Sequence, residues 1–203
     1  MAQTASNRRD TVPPPAAPEI ADPGPLGLAA FAMTTFVLSV FNAGLLDAKL
    51  EAVVLPLALF YGGATQLLAG MWEFRKGNTF GALAFSSFGS FWLAYFFLAR
   101  YIAAGLGPDA HRAVGLFLLA WTIFTAYMLV ASLRVSSAVI AVFGLLTLTF
   151  LVLTIGAFSA RTGITRLGGW LGLATALAAW YASFAGVTNA TWRRVVLPVG
   201  PRA

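Results

Sequence analysis

Residues 76–92 read KGNTFGALAFSSFGSFW and carry the pattern that decides the fold. The stretch is apolar enough to enter a membrane, with Lys76 at its first position as the one charge. It also contains Asn78, Thr79 and serines, for which lipid offers no hydrogen-bond partner. On a helix, steps of three and four form one stripe of Asn78, Gly81, Phe85, Phe88 and Trp92. These polar groups must therefore face either a neighbouring helix or a path through the protein.

The composition of the whole chain indicates a membrane protein. Of its 203 residues 59% are hydrophobic and 10% are charged, whereas soluble domains carry about a quarter charged residues. The net charge of +6 is scattered between apolar blocks and forms no stripe for nucleic acid. The chain has no cysteine and one histidine, His111, which we expect to be solvated in a short polar loop. We therefore predict no metal site and no cofactor.

Six apolar segments are long enough to span the bilayer as helices, because each reaches the ~20 residues that the hydrocarbon core requires. They run over residues 26–46, 52–72, 78–99, 113–133, 137–158 and 167–188. None of them contains Asp, Glu, Lys or Arg, and the short gaps between them make successive helices antiparallel. The predicted fold is an all-α integral membrane protein built as a six-helix transmembrane bundle.

Two cytoplasmic tails are expected around a transmembrane domain at residues 26–192. Residues 1–25 contain two arginines and a proline run, which predicts a disordered tail rather than a signal peptide. Residues 193–203 form the C-terminal tail. With the N-terminus inside, eight lysines and arginines lie on the cytoplasmic side and five outside. We therefore expect a multi-pass protein of the inner (plasma) membrane with both termini in the cytoplasm.

Neutral polar side chains occur at membrane depth in most of the expected spans. The first two spans contain Thr34, Thr35, Asn42, Tyr61 and Gln66. We expect about half of such groups to serve helix packing and the others to line a path. Because no carboxylate lies within a span, the pattern argues against a relay of buried Asp or Glu. It favours the passage of a small solute such as a weak acid, and leaves glycerol, water and ammonia open.

Three collinear stretches resemble the acetate uptake transporter family, the succinate–acetate permeases also called the GPR/FUN/YaaH family. They are DPGPLGLAAFAMTTFVLSVFNAG at 22–44, FYGGATQLLAGMWEFRKGNTFGALAFSSFGSFW at 60–92 and VVLPVGP at 195–201. The first includes the signature residues Asp22, Pro23, Pro25 and Gly27. The resemblance implies six-helix protomers in a homohexamer. It also implies that each protomer has its own pathway for acetate, in some members for succinate or other short acids, commonly coupled to protons.

The resemblance also assigns a hydrophobic gate and a selectivity position. The gate aligns with Phe31, Phe88 and Leu146, and Ala179 falls where family members tune which acid fits. Two positions depart from the family pattern. Phe88 stands where the family has Tyr, which removes a hydroxyl and favours a more apolar solute. Asp22 stands where the signature has Asn, so capping of the first span is retained while anion contact by this side chain is disfavoured.

The start of the third expected span has the features of a helix terminus that attracts anions. Its free backbone N–H groups and positive dipole end are joined by the charge of Lys76 and by the side chains of Asn78 and Thr79. Glu73 precedes them in the chain. We expect Glu73 to pair with Arg75 or Lys76, to cap the loop, or to take part in proton movement, with the structural roles favoured.

Other function classes remain alternatives at this point. A membrane enzyme is disfavoured, because the spans hold no carboxylate, histidine or cysteine for catalysis. A proton symporter, a passive channel for weak acids or neutral solutes, and a non-transporting membrane scaffold fit the same pattern. Aromatic residues near the span ends are expected to pack between protomers or at lipid interfaces. They are Trp72, Phe91, Trp92 and Trp121.

Overall fold

The computed structural model describes residues 20–201, and the regular elements in that range are helices. Five helices of the described range are long and apolar enough to cross a membrane. The third of them, Thr79–Ser132, contains two α-helices. We name the helical units α1 (Gly24–Asn42), α2 (Ala48–Lys76), α3 (Thr79–Phe97), α4 (Ala110–Ser132), α5 (Ser137–Ser159) and α6 (Thr162–Trp192). α2 includes a 3-10 segment at Ala48–Val53 and a π-helical segment at Leu57–Thr65. The predicted all-α membrane fold is confirmed.

The connection between α3 and α4 interrupts regular helical geometry. A π-helical turn at Leu98–Ile102 and a 3-10 segment at Ala103–Asp109 join the two helices. Gly107 has φ 65° and ψ −152°, a conformation open to glycine and costly for other residues. Pro108 follows it and has no N–H to continue a helical hydrogen-bond ladder. The 54-residue stretch therefore contains a break in its middle.

Glycine and polar caps form the turn between α2 and α3. Gly77 ends α2 with φ 78°, a left-handed conformation that glycine adopts without steric cost. Asn78 then caps α3, because its Oδ1 accepts a hydrogen bond from the Gly81 N–H at 3.2 Å. The KGNTFG segment is thus a helix end, a turn and a helix start, as the sequence predicts.

Each expected span falls on one of these helices, with differences at the ends. α1 begins at Gly24, before the expected residue 26, and ends at Asn42, because Gly44 turns the chain with φ 73°. α6 has 31 residues and continues to Trp192, beyond the expected end at 188. The tail expected at 1–25 falls largely on residues 1–19, which lie outside the described range.

The helices form a ring, because α6 packs against α1 and most helices pack against their neighbours in the chain. α1 packs against α2 and α6, and α5 packs between α4 and α6, whereas α3 and α4 touch only slightly. Small residues allow the close pairs. Gly169 of α6 lies against the backbone of Ala43, and a side chain at Gly62 of α2 would meet Thr34. This arrangement leaves space inside the ring.

The side chains that face this interior are largely aromatic. Phe91 and Trp92 are 5% and 2% exposed and belong to one buried cluster. The expectation that these two residues lie between protomers or at lipid interfaces is therefore wrong. They sit on the side of α3 that turns towards the other helices of the ring. Trp72, by contrast, is exposed on the outer surface of α2.

Candidate transport pathway

Two cavities lie within the helix ring. The terminal-side cavity, about 220 Å³, lies where α1 begins and α2 ends and is bordered by Asp22 and Lys76. The far-side cavity, about 400 Å³, lies towards the end of α1 and the α3–α4 connection, and is bordered by Asn42. Phe31 and Leu146 line both cavities. These two side chains therefore form the boundary at which the cavities meet.

Phe31, Phe88 and Leu146, which we call the neck, lie in one place in the structure, and they are the three residues that the resemblance assigns to the gate. They are 3–4% exposed and belong to the same buried cluster. The ring of Phe88 lies 5.7 Å from that of Phe31 between centroids and stacks at 6.4 Å on Phe150. Phe124 meets it edge-on at 5.3 Å. The neck is thus closed by aromatic and aliphatic groups that donate no conventional hydrogen bond.

Ala179 lies in the same buried cluster as the neck but does not line either cavity. Its side chain is fully buried. Any larger residue here must push on its packed neighbours, since protein interiors leave little free volume. An influence of this position on solute size would therefore act through packing around the neck.

An ion pair stands at the border of the terminal-side cavity. Lys76 Nζ lies 2.8 Å from Asp22 Oδ1, with the side chains 37% and 51% exposed. The same Asp22 oxygen accepts a hydrogen bond from the Gly24 N–H at 3.0 Å. Asp22 therefore satisfies the N–H of the first residue of α1, although the N-cap position of this helix is occupied by Pro23. It also links the start of α1 to the end of α2.

Glu73 is buried, with 1% exposure, and lines the terminal-side cavity. Its Oε2 accepts a hydrogen bond from Asn78 Nδ2 at 2.9 Å. The expected ion pair with Arg75 or Lys76 is not formed, since the ion-pair partner of Lys76 is Asp22 and the carboxylate of Glu73 points inward. The N-terminus of α3 thus already has a carboxylate beside it, held through Asn78. This arrangement lowers the attraction of that helix end for a solute anion.

The polar residues of the expected path divide into two groups. Thr35 and Asn42 line the far-side cavity, and Gln66 and Asn78 line the terminal-side cavity. The others line neither cavity: Thr34, Tyr61 and Thr79. Thr34 is buried against Gly62, and its Oγ1 donates to the Ala30 carbonyl at 2.9 Å. It therefore serves helix packing, while Thr79 is exposed.

The stripe of α3 that contains Asn78 and Phe88 faces the pathway, as its five members line one cavity or the other. A second stripe of α3, which contains Ser86 and Ser90, lies beside the first and serves a different purpose. Gly70 of α2 packs directly against Ser86, and Ser90 Oγ donates to the Ser86 carbonyl at 2.9 Å. Close helix packing therefore explains the small residues of this second stripe.

Sequence reasoning missed three residues of the far-side cavity. His111 lines the cavity and is half-buried, which corrects the expectation of a solvated loop histidine. Its Nδ1 lies 3.0 Å from the Pro108 carbonyl oxygen, so this nitrogen donates. Glu51 also lines the cavity and accepts a hydrogen bond from Tyr95 Oη at 3.0 Å. Trp92 is the third, and its place on the interior stripe was the available signal.

Comparisons with known proteins agree with this architecture. The profile of the GPR1/FUN34/yaaH family matches residues 5–201. The chain is 42% identical over 197 residues to Acetate permease A of Emericella nidulans, covering 89% of this chain and 66% of that protein. It is 39% identical over 184 residues to the succinate-acetate/proton symporter SatP of Escherichia coli, covering 90% of this chain and 96% of that protein.

A solved structure of the bacterial acetate channel SatP superposes with a TM-score of 0.84 at 38% identity, covering 90% of this chain and 100% of that chain. The fungal relatives are longer, and the chain spans 62% of one yeast protein and 66% of Acetate permease A. The names of Acetate permease A, the SatP symporter and the SatP channel describe transport rather than enzymatic catalysis. The extent of the family match and the identity to these relatives show that this multi-pass membrane protein belongs to the GPR1/FUN34/yaaH family.

Proposed function

We propose that this protein carries acetate and related short-chain carboxylic acids across the membrane, through the two cavities and the neck between them. The observation that carries the proposal is that Phe31 and Leu146 line both cavities. A route from one cavity to the other therefore passes these side chains. The likeness to an acetate channel at a TM-score of 0.84 supports acetate as the solute.

Six membrane crossings fit the helices better than five. The stretch Thr79–Ser132 has 54 residues, which would extend about 80 Å at 1.5 Å per residue if it were straight. The hydrocarbon core is about 30 Å thick. Because the stretch breaks at Gly107 and Pro108, α3 and α4 each cross once and run antiparallel. An even number of crossings puts both termini on one side, and the lysine and arginine counts favour the cytoplasm.

The neck favours the neutral acid over its anion. Moving a bare charge into a dry apolar constriction costs several kcal/mol, and Phe31, Phe88 and Leu146 offer it no hydrogen bond. Acetic acid avoids this cost, whereas acetate requires water to enter with it. Succinate carries two carboxylates and is expected to be a poorer solute. Phe88 strengthens this preference, because it lacks the hydroxyl of the tyrosine found in the family pattern.

Proton coupling has two possible origins. Transport of the neutral acid moves one proton with each solute and requires no titrating residue. Alternatively, Glu73 takes up and releases the proton, since its buried carboxylate lines the terminal-side cavity next to Asn78. The relatives carry both kinds of name, a proton symporter and a channel. We favour movement of the neutral acid, because Asn78 already gives Glu73 a structural role.

A homohexamer in which every protomer has its own pathway follows from the family resemblance. Both cavities lie within a single chain, which supports a separate pathway in each protomer. The outer faces of the helices display many large apolar side chains for contact with lipid or with other protomers.

Uptake of radiolabelled acetate by liposomes that contain the purified protein tests the proposal. We expect saturable uptake above that of empty liposomes, stronger at low pH, and competition by propionate but not by glycerol. Absence of uptake would indicate a scaffold, and equal flux of neutral solutes would indicate an unselective channel. Accumulation against a gradient of acetate, driven by a pH gradient, distinguishes a symporter from a passive channel.

A further inference from the structure

Three of the buried polar atoms that lack a hydrogen-bond partner belong to residues that line the pathway. Among the described residues, these atoms are Thr35 Oγ1, Trp92 Nε1 and Gln66 Oε1. Buried polar groups are normally hydrogen-bonded, and an exception calls for an explanation. Thr35 and Trp92 both line the far-side cavity, on α1 and α3, whereas Gln66 lines the terminal-side cavity.

The hydroxyl of Thr35 differs from those of other threonines in the spans. Thr34, Thr149 and Thr175 each donate to the carbonyl four residues earlier, at 2.8–2.9 Å. This back-bonding is the usual solution for a hydroxyl within a membrane helix. Thr35 is 6% exposed, and its hydroxyl makes no such bond. It is therefore a donor available to another acceptor.

Trp92 supplies a second donor. The indole Nε1–H can only donate, and a buried Trp N–H usually finds an acceptor. The side chain is 2% exposed and is held edge-on by Phe91 at 5.0 Å and by Tyr95 at 5.8 Å between ring centroids. These rings fix the orientation of the indole, and neither residue accepts a hydrogen bond from it. Its N–H is thus preset in position and unsatisfied.

We propose that Thr35 Oγ1 and Trp92 Nε1 are the donors that bind the carboxylate of the solute in the far-side cavity, next to the neck. This inference rests on the proposed transport of short carboxylic acids. A carboxylate has two acceptor oxygens and no donor, so two donors that line the same cavity match it. No lysine or arginine of the described residues lines this cavity, so binding by these donors stays weak enough for release.

Glu51 and His111, which also line the cavity, do not provide the same function. Glu51 is an acceptor, is occupied by Tyr95, and repels an anion. His111 has its Nδ1 against the Pro108 carbonyl at the α3–α4 connection. The donor pair instead lies on residues that share this cavity with Phe31 and Leu146. A solute bound there is positioned to lose its charge by protonation and to continue through the neck.

The test measures acetate affinity of the full-length protein by titration calorimetry, together with the KM of uptake in liposomes. Thr35→Val removes one donor and keeps the shape of the side chain, whereas Trp92→Phe removes the other donor and leaves a smaller aromatic ring. A hydrogen bond to a charged group contributes strongly to the binding free energy. The loss of one such bond should therefore raise Kd and KM about tenfold in each variant. Thr34→Val and Trp170→Phe are the matched controls, since Thr34 is back-bonded and Trp170 is exposed, and they should stay within about twofold.

A purely structural role predicts a different pattern. Because Thr35→Val removes an unsatisfied buried donor at nearly constant volume, its melting temperature should equal or exceed that of the wild type. Thr35→Ser restores the hydroxyl and should restore affinity. The inference is overturned if both donor variants bind acetate like the wild type, or if Thr35→Ser is as impaired as Thr35→Val. Binding by calorimetry without any uptake would remove the proposed transport function while supporting this site.

Discussion

Replacing Phe31 with alanine should convert a selective route for neutral acid into a wider one for hydrated anions. Phe31 is 4% exposed, lines both cavities and holds its ring 5.7 Å from that of Phe88. The substitution removes the ring from the boundary between the cavities. Water can then accompany a carboxylate through the neck, so that the solute no longer has to enter uncharged.

The expected magnitudes follow from this geometry. A buried Phe→Ala change costs about 3–5 kcal/mol of stability, and we expect about 3 kcal/mol because the ring already borders open space on two sides. If water relieves about 3 kcal/mol of the cost of desolvating the anion, anion flux rises about 100-fold. Flux of the neutral acid changes little. The pH dependence of acetate uptake should therefore flatten, and longer acids such as butyrate should gain relative to acetate.

The assay is uptake by liposomes across a range of pH at a fixed total concentration of the acid, with acetate and butyrate compared. Phe41→Ala is the matched control, since Phe41 is a buried phenylalanine on the same helix that lines neither cavity. It should lose stability while its selectivity and pH dependence remain those of the wild type. Unchanged selectivity in Phe31→Ala, with the protein folded, would refute the assignment of the neck.

Three further predictions test separate contacts. Phe88→Tyr adds a hydroxyl to the neck and should raise uptake of succinate relative to acetate about tenfold; an unchanged ratio would exclude Phe88 from selectivity. Glu73→Gln keeps an acceptor for Asn78 and should preserve accumulation driven by a pH gradient, whereas its loss with intact downhill flux would identify Glu73 as the proton carrier. Asp22→Asn removes an exposed ion pair while keeping an acceptor for the Gly24 N–H, so the unfolding free energy should change by about 1 kcal/mol or less. A large fall in melting temperature would contradict the expectation that the ion pair with Lys76 contributes little to stability.

The amino-acid sequence by itself determined the helices and the turns between them. Apolar segments without charge must satisfy their backbone groups internally in lipid, so they form helices whatever their neighbours are. The turn before α3 is equally local, because Gly77 takes a left-handed conformation and Asn78 caps the next residues. The interior stripe of α3 could also be predicted from its helical spacing, since it begins at Asn78, whose polar side chain finds no partner in lipid.

Only the tertiary structure decided which side chains reach the pathway. Thr34 and Thr35 are adjacent and chemically identical, yet a helix turns about 100° per residue. One therefore packs on Gly62 while the other lines a cavity. The burial of Glu73 depends in the same way on contacts between separate segments. Lys76 forms its ion pair with Asp22 of the N-terminal signature, and Glu73 accepts a hydrogen bond from Asn78 instead. Spacing along one helix states which residues share a face, but what that face meets is set by the helices that pack around it.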